Sequence, residues 1–399
     1  MLETIKTLFS ASKLRASEAK ASRTAHLIAI ESNLYSLGRA RWTPRDYAAL
    51  AREGYAKNAI VYRAVRLVSE AIGATAFTLF EGEREHDSHP LLELLARPNP
   101  RQDGAGFLEG VTAHLLLAGN AYIEAVTLGD DLRELYALRP DRMKVVPGPE
   151  GWPEAYEYTI GARALRFEQT AAFPPILHLT FFNPLDDHYG LAPLEAAAVA
   201  VDTHNAAAKW NKALLDNAAR PSGALVYAGP EGAVLNDGQF DRLKKELGEQ
   251  YSGAANAGRP LLLEGGLDWK PMSLTPHDMD FMEAKHAAAR EIALAFGVPP
   301  MLLGIPGDAT YSNYQEANRA FYRLGVLPLA QRIGAALTQW LAPVYGEDMR
   351  LAVDTDRIEA LNADRAALWD RVTRAPFLTI NEKRAATGYG AVEGGDSFG

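Results

Sequence analysis

Cysteine is missing from all 399 residues, which excludes disulfides, thiol nucleophiles, iron–sulfur clusters and cysteine-ligated zinc. Any metal would need carboxylates and the nine histidines alone. Positive charge is in deficit. The chain has 41 Lys and Arg against 50 Asp and Glu, a formal charge of -9, the opposite of a surface built to wrap and neutralise phosphates. Long apolar runs are lacking too: the best candidates are broken by Gly119, Asn120 and Glu124 or by Asp202, short of the ~18 residues a membrane span needs, so the reading is a soluble protein without a membrane partner. No Gly-Lys-Ser or Gly-Lys-Thr occurs, so no phosphate-cradling loop for ATP hydrolysis is expected. The Ser-x-x-Lys pairs Ser10/Lys13 and Ser17/Lys20 fall in a polar N-terminal stretch that cannot preorganise a nucleophile.

What is present is an ordinary globular composition, 48% hydrophobic and 23% charged, in a chain long enough for two or three domains. Residues 1–24 carry Lys6, Lys13, Arg15, Lys20 and Arg23 and imitate an organellar transit peptide, but Glu3 and Glu18 favour a flexible polar arm. Ile60, Val61, Ala64, Val65, Val68 and Ile72 form an apolar stripe at three- and four-residue spacing, which predicts a core helix over 59–72. The charge cluster 81–87 reads as a polar turn. His89-Pro90 opens a short helix that the Pro98 and Pro100 pair closes, and another helix runs over 107–117 to Gly119.

Strands are predicted at 122–126, 134–138, 143–146, 156–160 and 176–182, giving an α+β domain. Residues 194–219 include ten alanines, with Pro193 at a first-turn position, and predict a long helix; 276–296 predicts a second, ended by Gly297 and two prolines. The intervening strands at 223–228, 260–264 and 267–272 and helix at 239–250 make a small α/β module inside a helical hairpin. After the polar loop 305–312 comes a helix with Asn313 and Glu316 spaced as a capping box, and Pro328 predicts a kink near Leu327. The Gly-rich tail 390–399 is expected to fray.

Candidate chemistry is sparse. His277, Asp278, Asp280, Glu283 and His286 are the sharpest metal-like cluster, and a metal-dependent nuclease or hydrolase using Asp280, Glu283 and His286 is the alternative reading. Acidic residues in a helix's first turns are, however, ordinary dipole chemistry on a solvated face, and Asp202 and His204 read the same way. The 186–190 stretch, Asp-Asp-His-Tyr-Gly, reads as a turn. The residues thus nominate no catalytic, metal or cofactor-binding site.

The ordered motifs carry more. Val61 to Ile72, His89-Pro90-Leu91, Pro98-Asn99-Pro100, Gly119-Asn120-Ala121-Tyr122, Leu138-Arg139-Pro140-Asp141, Tyr189-Gly190-Leu191-Ala192-Pro193-Leu194, Asn217 to Gly223, Asn256-Ala257-Gly258-Arg259-Pro260, the run from Phe296-Gly297-Val298-Pro299-Pro300 to Gly304, then Thr310-Tyr311-Ser312-Asn313 and Leu327-Pro328-Leu329 follow one another in order. In that order and spacing the chain resembles the portal proteins of long-tailed bacteriophages and phage-like gene transfer agents.

The resemblance implies a portal fold and a homo-oligomeric ring of about twelve subunits. It implies a flexible arm at 1–24, a wing at 25–193, stem helices at 194–220 and 275–300, an α/β clip at 221–274, a tunnel loop at 301–313, a kinked helix returning to the wing at 314–351, and a short crown with a flexible tail at 352–399. The function implied is a non-enzymatic conduit at one capsid vertex of a virion or phage-like particle, assembled in the bacterial cytoplasm. It would pass double-stranded DNA during packaging and ejection and would contact the major capsid protein, the large terminase and then a head–tail adaptor. Asp308, Thr310, Tyr311 and Asn313 are expected near the duplex, and Glu246 and Glu249 are candidate clip contacts. Twelve copies carry 12 × -9 = -108 formal charges, so an acidic bore would keep phosphates from sticking. A head-assembly adaptor that never surrounds DNA is the remaining rival.

Overall fold

The computed structural model describes residues 42–44, 46–129, 131–216, 223–227, 238, 239, 241, 242, 245, 267–271, 281–307 and 310–397. The chain divides into two compact units, Met1–Trp42 and Thr43–Gly399, and every element named below lies in the second.

After a short helix α1 (Tyr47–Leu50) and a π turn (Ala51–Tyr55) comes α2 (Ala59–Gly73). Asn58 starts α2 by accepting from the Ile60 and Val61 amides through its side-chain oxygen. The stripe seen in the sequence is the buried face: Val61, Ala64, Val65, Val68 and Ile72 have almost no exposed surface. Next come β1 (Phe77–Glu81), β2 (Arg84–His86), α3 (Pro90–Ala96) and α4 (Gly104–Ala118). The His89 ring accepts from the Leu91 amide and caps α3, and the Asp103 carboxylate caps α4.

Six strands follow: β3 (Asn120–Leu128), β4 (Asp131–Leu138), β5 (Met143–Pro147), β6 (Pro153–Ile160), β7 (Arg163–Glu168) and β8 (Ile176–Thr180). They form two antiparallel sheets, ordered β4-β3-β8 and β5-β6-β7. Two helices, α5 (Pro193–Ala196) and α6 (Ala198–Asp216), precede β9 (Gly223–Tyr227), which pairs with β10 (Leu267–Pro271). Then come α7 (Phe281–Ala295), α8 (Tyr311–Phe321), a π turn (Tyr322–Val326), α9 (Leu327–Tyr345), β11 (Met349–Val353), α10 (Asn362–Thr373) and α11 (Ile380–Thr387). The strand β11 returns to β1, so a third sheet has the order β11-β1-β2.

The main core joins α2, α4, β3, the first turns of α6, the last turns of α7 and α9 through Val65, Val111, Ile123, Val201, Ile292 and Leu337. A second cluster of Tyr122, Met143, Val145, Tyr156, Tyr158 and Ile176 lies between the β3 and β5-β6-β7 sheets. The α+β expectation holds.

Several expectations require correction. The 81–87 cluster is a turn only at Gly82-Glu83; Arg84–His86 then pairs back onto β1, since an edge strand exposed to water tolerates charge. The capping box on Asn313 and Glu316 is not the helix start: Thr310 caps α8, and Asn313 is the residue whose amide it accepts. The irregularity expected at Pro328 takes the form of a π turn, closed by the Leu327 amide on the Tyr322 carbonyl; this wider turn accommodates a proline that cannot donate. The tail is tied down as far as Asp396 rather than frayed. The Asn381 side chain binds Val392 on both sides of its amide and reaches Asp396, and the Ala391 amide donates to the Glu83 carbonyl.

Gly119 ends α4 at a φ of 71°, in the left-handed region that disfavours side chains. It also lies against Gly190 so closely that a Cβ on either would collide with the other's carbonyl oxygen. We therefore expect Gly190→Ala to lower the urea unfolding midpoint by the equivalent of about 1–3 kcal/mol, whereas Gly129→Ala, in open space, should cost less.

Candidate functional site

The segment between α7 and α8 is the candidate site. Gly297, at a φ of 66°, ends α7, and the Val298 amide donates to the Ala293 carbonyl. A short 3-10 turn (Pro300–Leu303) and Gly304 then place Ile305 in a pocket formed by Ala289 and Ala293 of α7. Arg290 holds the next residue, its guanidinium donating to the Pro306 carbonyl and lying 2.9 Å from where a Cβ on Gly307 would stand. Thr310 restarts regular structure by accepting from the Asn313 amide at 3.2 Å. The loop is thus anchored at both ends.

Of the expected site residues, Thr310 is committed to capping, so its hydroxyl serves the helix. Tyr311 is 79% exposed and its hydroxyl accepts from the Gln315 side chain at 3.1 Å. Asn313 is exposed on the first turn of α8. Asp308 lies outside the described residues, as do Glu246, Glu249 and Asp280. Sequence reasoning missed two residues. Tyr314 is 51% exposed and stands three positions after Tyr311, a spacing that puts both rings on one helix face. Arg290 acts through a tertiary contact with no local signal.

Glu283 and His286 lie on α7, and no group of three His, Asp or Glu positioned to hold a metal occurs among the described residues. Asp202 and His204 are not on a solvated face. The Asp202 carboxylate accepts from the Thr43 amide and hydroxyl. His204 is buried, and its Nδ1 accepts from Asn58 Nδ2 at 3.1 Å. The 186–190 stretch is the expected turn, with Asp186 Oδ1 accepting from the His188 and Tyr189 amides. A Gly-x-Ser-x-Gly spacing occurs at 395–399, but Ser397 Oγ donates to the Gly394 carbonyl in an exposed turn, not at a strand-to-helix elbow.

The motifs Gly119-Asn120 and Tyr189-Gly190 meet in one buried hub. Asn120 Oδ1 accepts from the Gly190 amide at 2.9 Å and from His178 Nε2 at 3.0 Å, and its Nδ2 donates to the Ala118 carbonyl. His178 Nδ1 accepts from the Tyr156 hydroxyl, and the Tyr122 ring stacks on the imidazole at 4.2 Å. Tyr189 extends the hub to the second sheet by accepting from the Val145 amide. Burial lowers the His178 pKa to about 3, burial lowers that of His114 to about 4, and burial pushes Tyr156 up to about 12.

The family model described as "Phage portal protein" matches residues 59–388. An uncharacterised protein of Rickettsia bellii (strain RML369-C) is 42% identical over 352 residues, covering 87% of this chain and 90% of that protein. Among solved structures, one described as the neck of an empty GTA particle computed with C6 symmetry, GTA being a gene transfer agent, superposes with a TM-score of 0.70 at 54% identity. It spans 89% of this chain and 96% of that one. A native GTA neck computed with C12 symmetry gives a TM-score of 0.67 at 52% identity over the same shares.

His114 and His178 are neutral in the fold, so protonation favours the unfolded chain. Their contribution is fully present above about pH 6.5 and is lost as pH falls toward 4 and 3, at up to ~1.4 kcal/mol per pH unit for each. Thermal melts between pH 7 and pH 4.5 should show a falling midpoint, and His178→Gln should flatten that fall while lowering the midpoint at pH 7.

Proposed function

The chain belongs to the phage portal protein family, and from that premise we propose that it is one subunit of a ring at a single capsid vertex of a phage-like particle, forming the channel for double-stranded DNA. The observation that carries this is the superposition on GTA necks with cyclic symmetry at over 50% identity, across nearly the whole of the related chain. A portal ring is a structural component, and the chain's part in packaging is positional, not catalytic.

Within the ring we read residues 25–193 as the wing, 194–220 and 275–300 as the stem, 221–274 as the clip, 301–313 as the tunnel loop, 314–351 as the return to the wing, and 352–399 as a short crown. Three physical features support this. The roots of α6 and α7 are built into the core while their far ends carry exposed residues, which suits a hairpin projecting from a body. The loop before α8 is anchored by Arg290, Ile305 and Thr310, so it presents Tyr311 and Tyr314 on a fixed base. The net negative charge disfavours tight phosphate binding, which a conduit must avoid.

In this reading Asp308, Tyr311, Tyr314 and Asn313 approach the passing duplex, and Thr310 positions them. The clip, with Glu246 and Glu249, meets the large terminase and then a head–tail adaptor, and the wing meets the major capsid protein.

Mass photometry and negative-stain averages of purified protein test the architecture. The expected species is a ring near 12 × 43.4 = 521 kDa with a central hole; a chain that is monomeric both alone and when extracted from particles overturns it. Tyr311→Ala with Tyr314→Ala changes only exposed rings, so it should leave ring mass and melting midpoint unchanged and reduce nuclease-protected DNA per particle. Unchanged DNA content would remove these tyrosines from the channel.

A further inference from the structure

An open hollow of about 480 Å3 lies where the loop between α3 and α4 meets β4. Arg97, Arg101 and Arg133 line it, together with Gln102 and the carboxylates Asp103 and Glu134. Its frame is rigid. Gly104 lies so close to the end of α3 that a Cβ there would stand 2.2 Å from the Leu95 carbonyl oxygen, which pins the start of α4 in place. The Pro98 carbonyl accepts from the Leu135 amide of β4. The buried Asn99 donates to the Leu135 carbonyl at 2.9 Å, while its own oxygen accepts from the Arg101 amide. The backbone that carries Arg97 and Arg101 is thereby stitched to the strand that carries Arg133.

The charges around the hollow are unevenly satisfied. Arg133 pairs with Asp131 at 2.6 Å. Asp103 is spent on the Gly106 amide at 2.7 Å, and Glu134 on the Tyr136 hydroxyl at 2.8 Å. Arg97 and Arg101 are exposed and make no ion pair among the described residues. The Gln102 side-chain oxygen accepts from Asn99, which leaves its amide nitrogen as a further donor. Two guanidinium groups and an amide are thus a local surplus of donors on a chain whose formal charge is -9.

The surplus selects its ligand by chemistry. A guanidinium fork matches a carboxylate and binds it through two parallel hydrogen bonds. A hollow of this size is that of a small-ligand cleft, which admits a few side chains. Duplex DNA, with one charge per ~1.7 Å of axis, is instead gripped by a row of cations along a face. Here Asp131, Asp103 and Glu134 would repel a continuous phosphate backbone.

We propose that this hollow seats an acidic segment of a partner protein, with one of its carboxylates on Arg97 and another on Arg101. The contact stands apart from the ring reading: its partner is recognised by charge at the α3–α4 loop, whatever the subunit count.

A fluorescein-labelled hexaglutamate peptide is the probe, titrated into the full-length protein at about 50 mM salt, where surface charge is weakly screened. Fluorescence polarisation should show saturable binding of one peptide per chain. Arg97→Gln with Arg101→Gln removes two charges and no internal bond, so the melting midpoint should match wild type while the peptide Kd rises by about tenfold or more. Arg163→Gln with Arg371→Gln is an equal loss of charge at two other exposed positions and should leave the Kd within about twofold. Phenylglyoxal labelling of the wild-type chain, read by mass spectrometry, locates the site without any variant: the peptide should protect Arg97 and Arg101 and leave Arg163 and Arg371 labelled.

Absence of saturable binding, equal weakening by the two double variants, or protection spread over all four arginines overturns the proposal. So does a short DNA duplex that protects Arg97 and Arg101 at lower concentration than the peptide, which would make the hollow a phosphate site. Displacement of the peptide by an equimolar amount of inorganic phosphate would reduce it to a simple anion hole and overturn it too. None of these outcomes bears on the ring, which mass photometry judges separately.

Discussion

Two backbones touch at Gly119 and Gly190 with no side chain between them, and the placement of most of the larger unit follows from that contact. Gly119 is the last residue of α4's path and the residue before β3, while its carbonyl accepts from the Phe181 amide just beyond β8. Gly190 closes the turn that starts at Asp186, and α5 begins three residues later. Asn120 makes the contact directional: its oxygen accepts from Gly190 and His178, and its amide donates to Ala118. A buried amide with these groups paired is worth far more in place than displaced, because each unmade bond would leave a polar group without water. A helix end, a sheet centre and the entry to the long hairpin are thereby held at one point.

The hairpin root is held a second time from the other side of the core. Asn58 caps α2 with its oxygen and spends its amide on His204 and Asn205 of α6, while Asn205 donates to the Glu53 carbonyl. Asp202, one turn away, takes both donors of Thr43. These bonds fix rotation of α6 about its own axis, which apolar packing of alanines alone would leave loosely specified. The rotation matters because it decides which stripe of α6 faces outward. Burial followed by the nearby Lys285 and His286 lowers the His204 pKa, so this tie, like the His178 hub, is made by a neutral imidazole.

Much of this was legible in the sequence wherever one local rule sufficed. The α2 stripe, the Pro90 start of α3, the Gly119 stop and the two arms of the hairpin follow from period, caps and breakers, and all appear close to where they were expected. The strand β7 was missed although Leu165 and Phe167 alternate with charge, because two partly buried residues give too short a pattern. The strands β1 and β11 depend on a pairing between residues some 270 apart, which no window contains. The tail is ordered by Asn381, whose bonds are likewise invisible in a Gly-rich composition. At the candidate site Tyr311 could be named from its motif, whereas Arg290 could not, since its role exists only once α7 and the loop lie side by side.

Charge then works against closure in a ring of such chains. Each copy brings a formal -9, and like charges separated by less than the ~8 Å Debye length of physiological salt repel. That same sign weakens any grip on passing phosphates, so neutralising it with lysines would aid closure at the expense of a free channel. Whatever holds the subunits of a ring together must therefore overcome the same repulsion that keeps phosphates from being held.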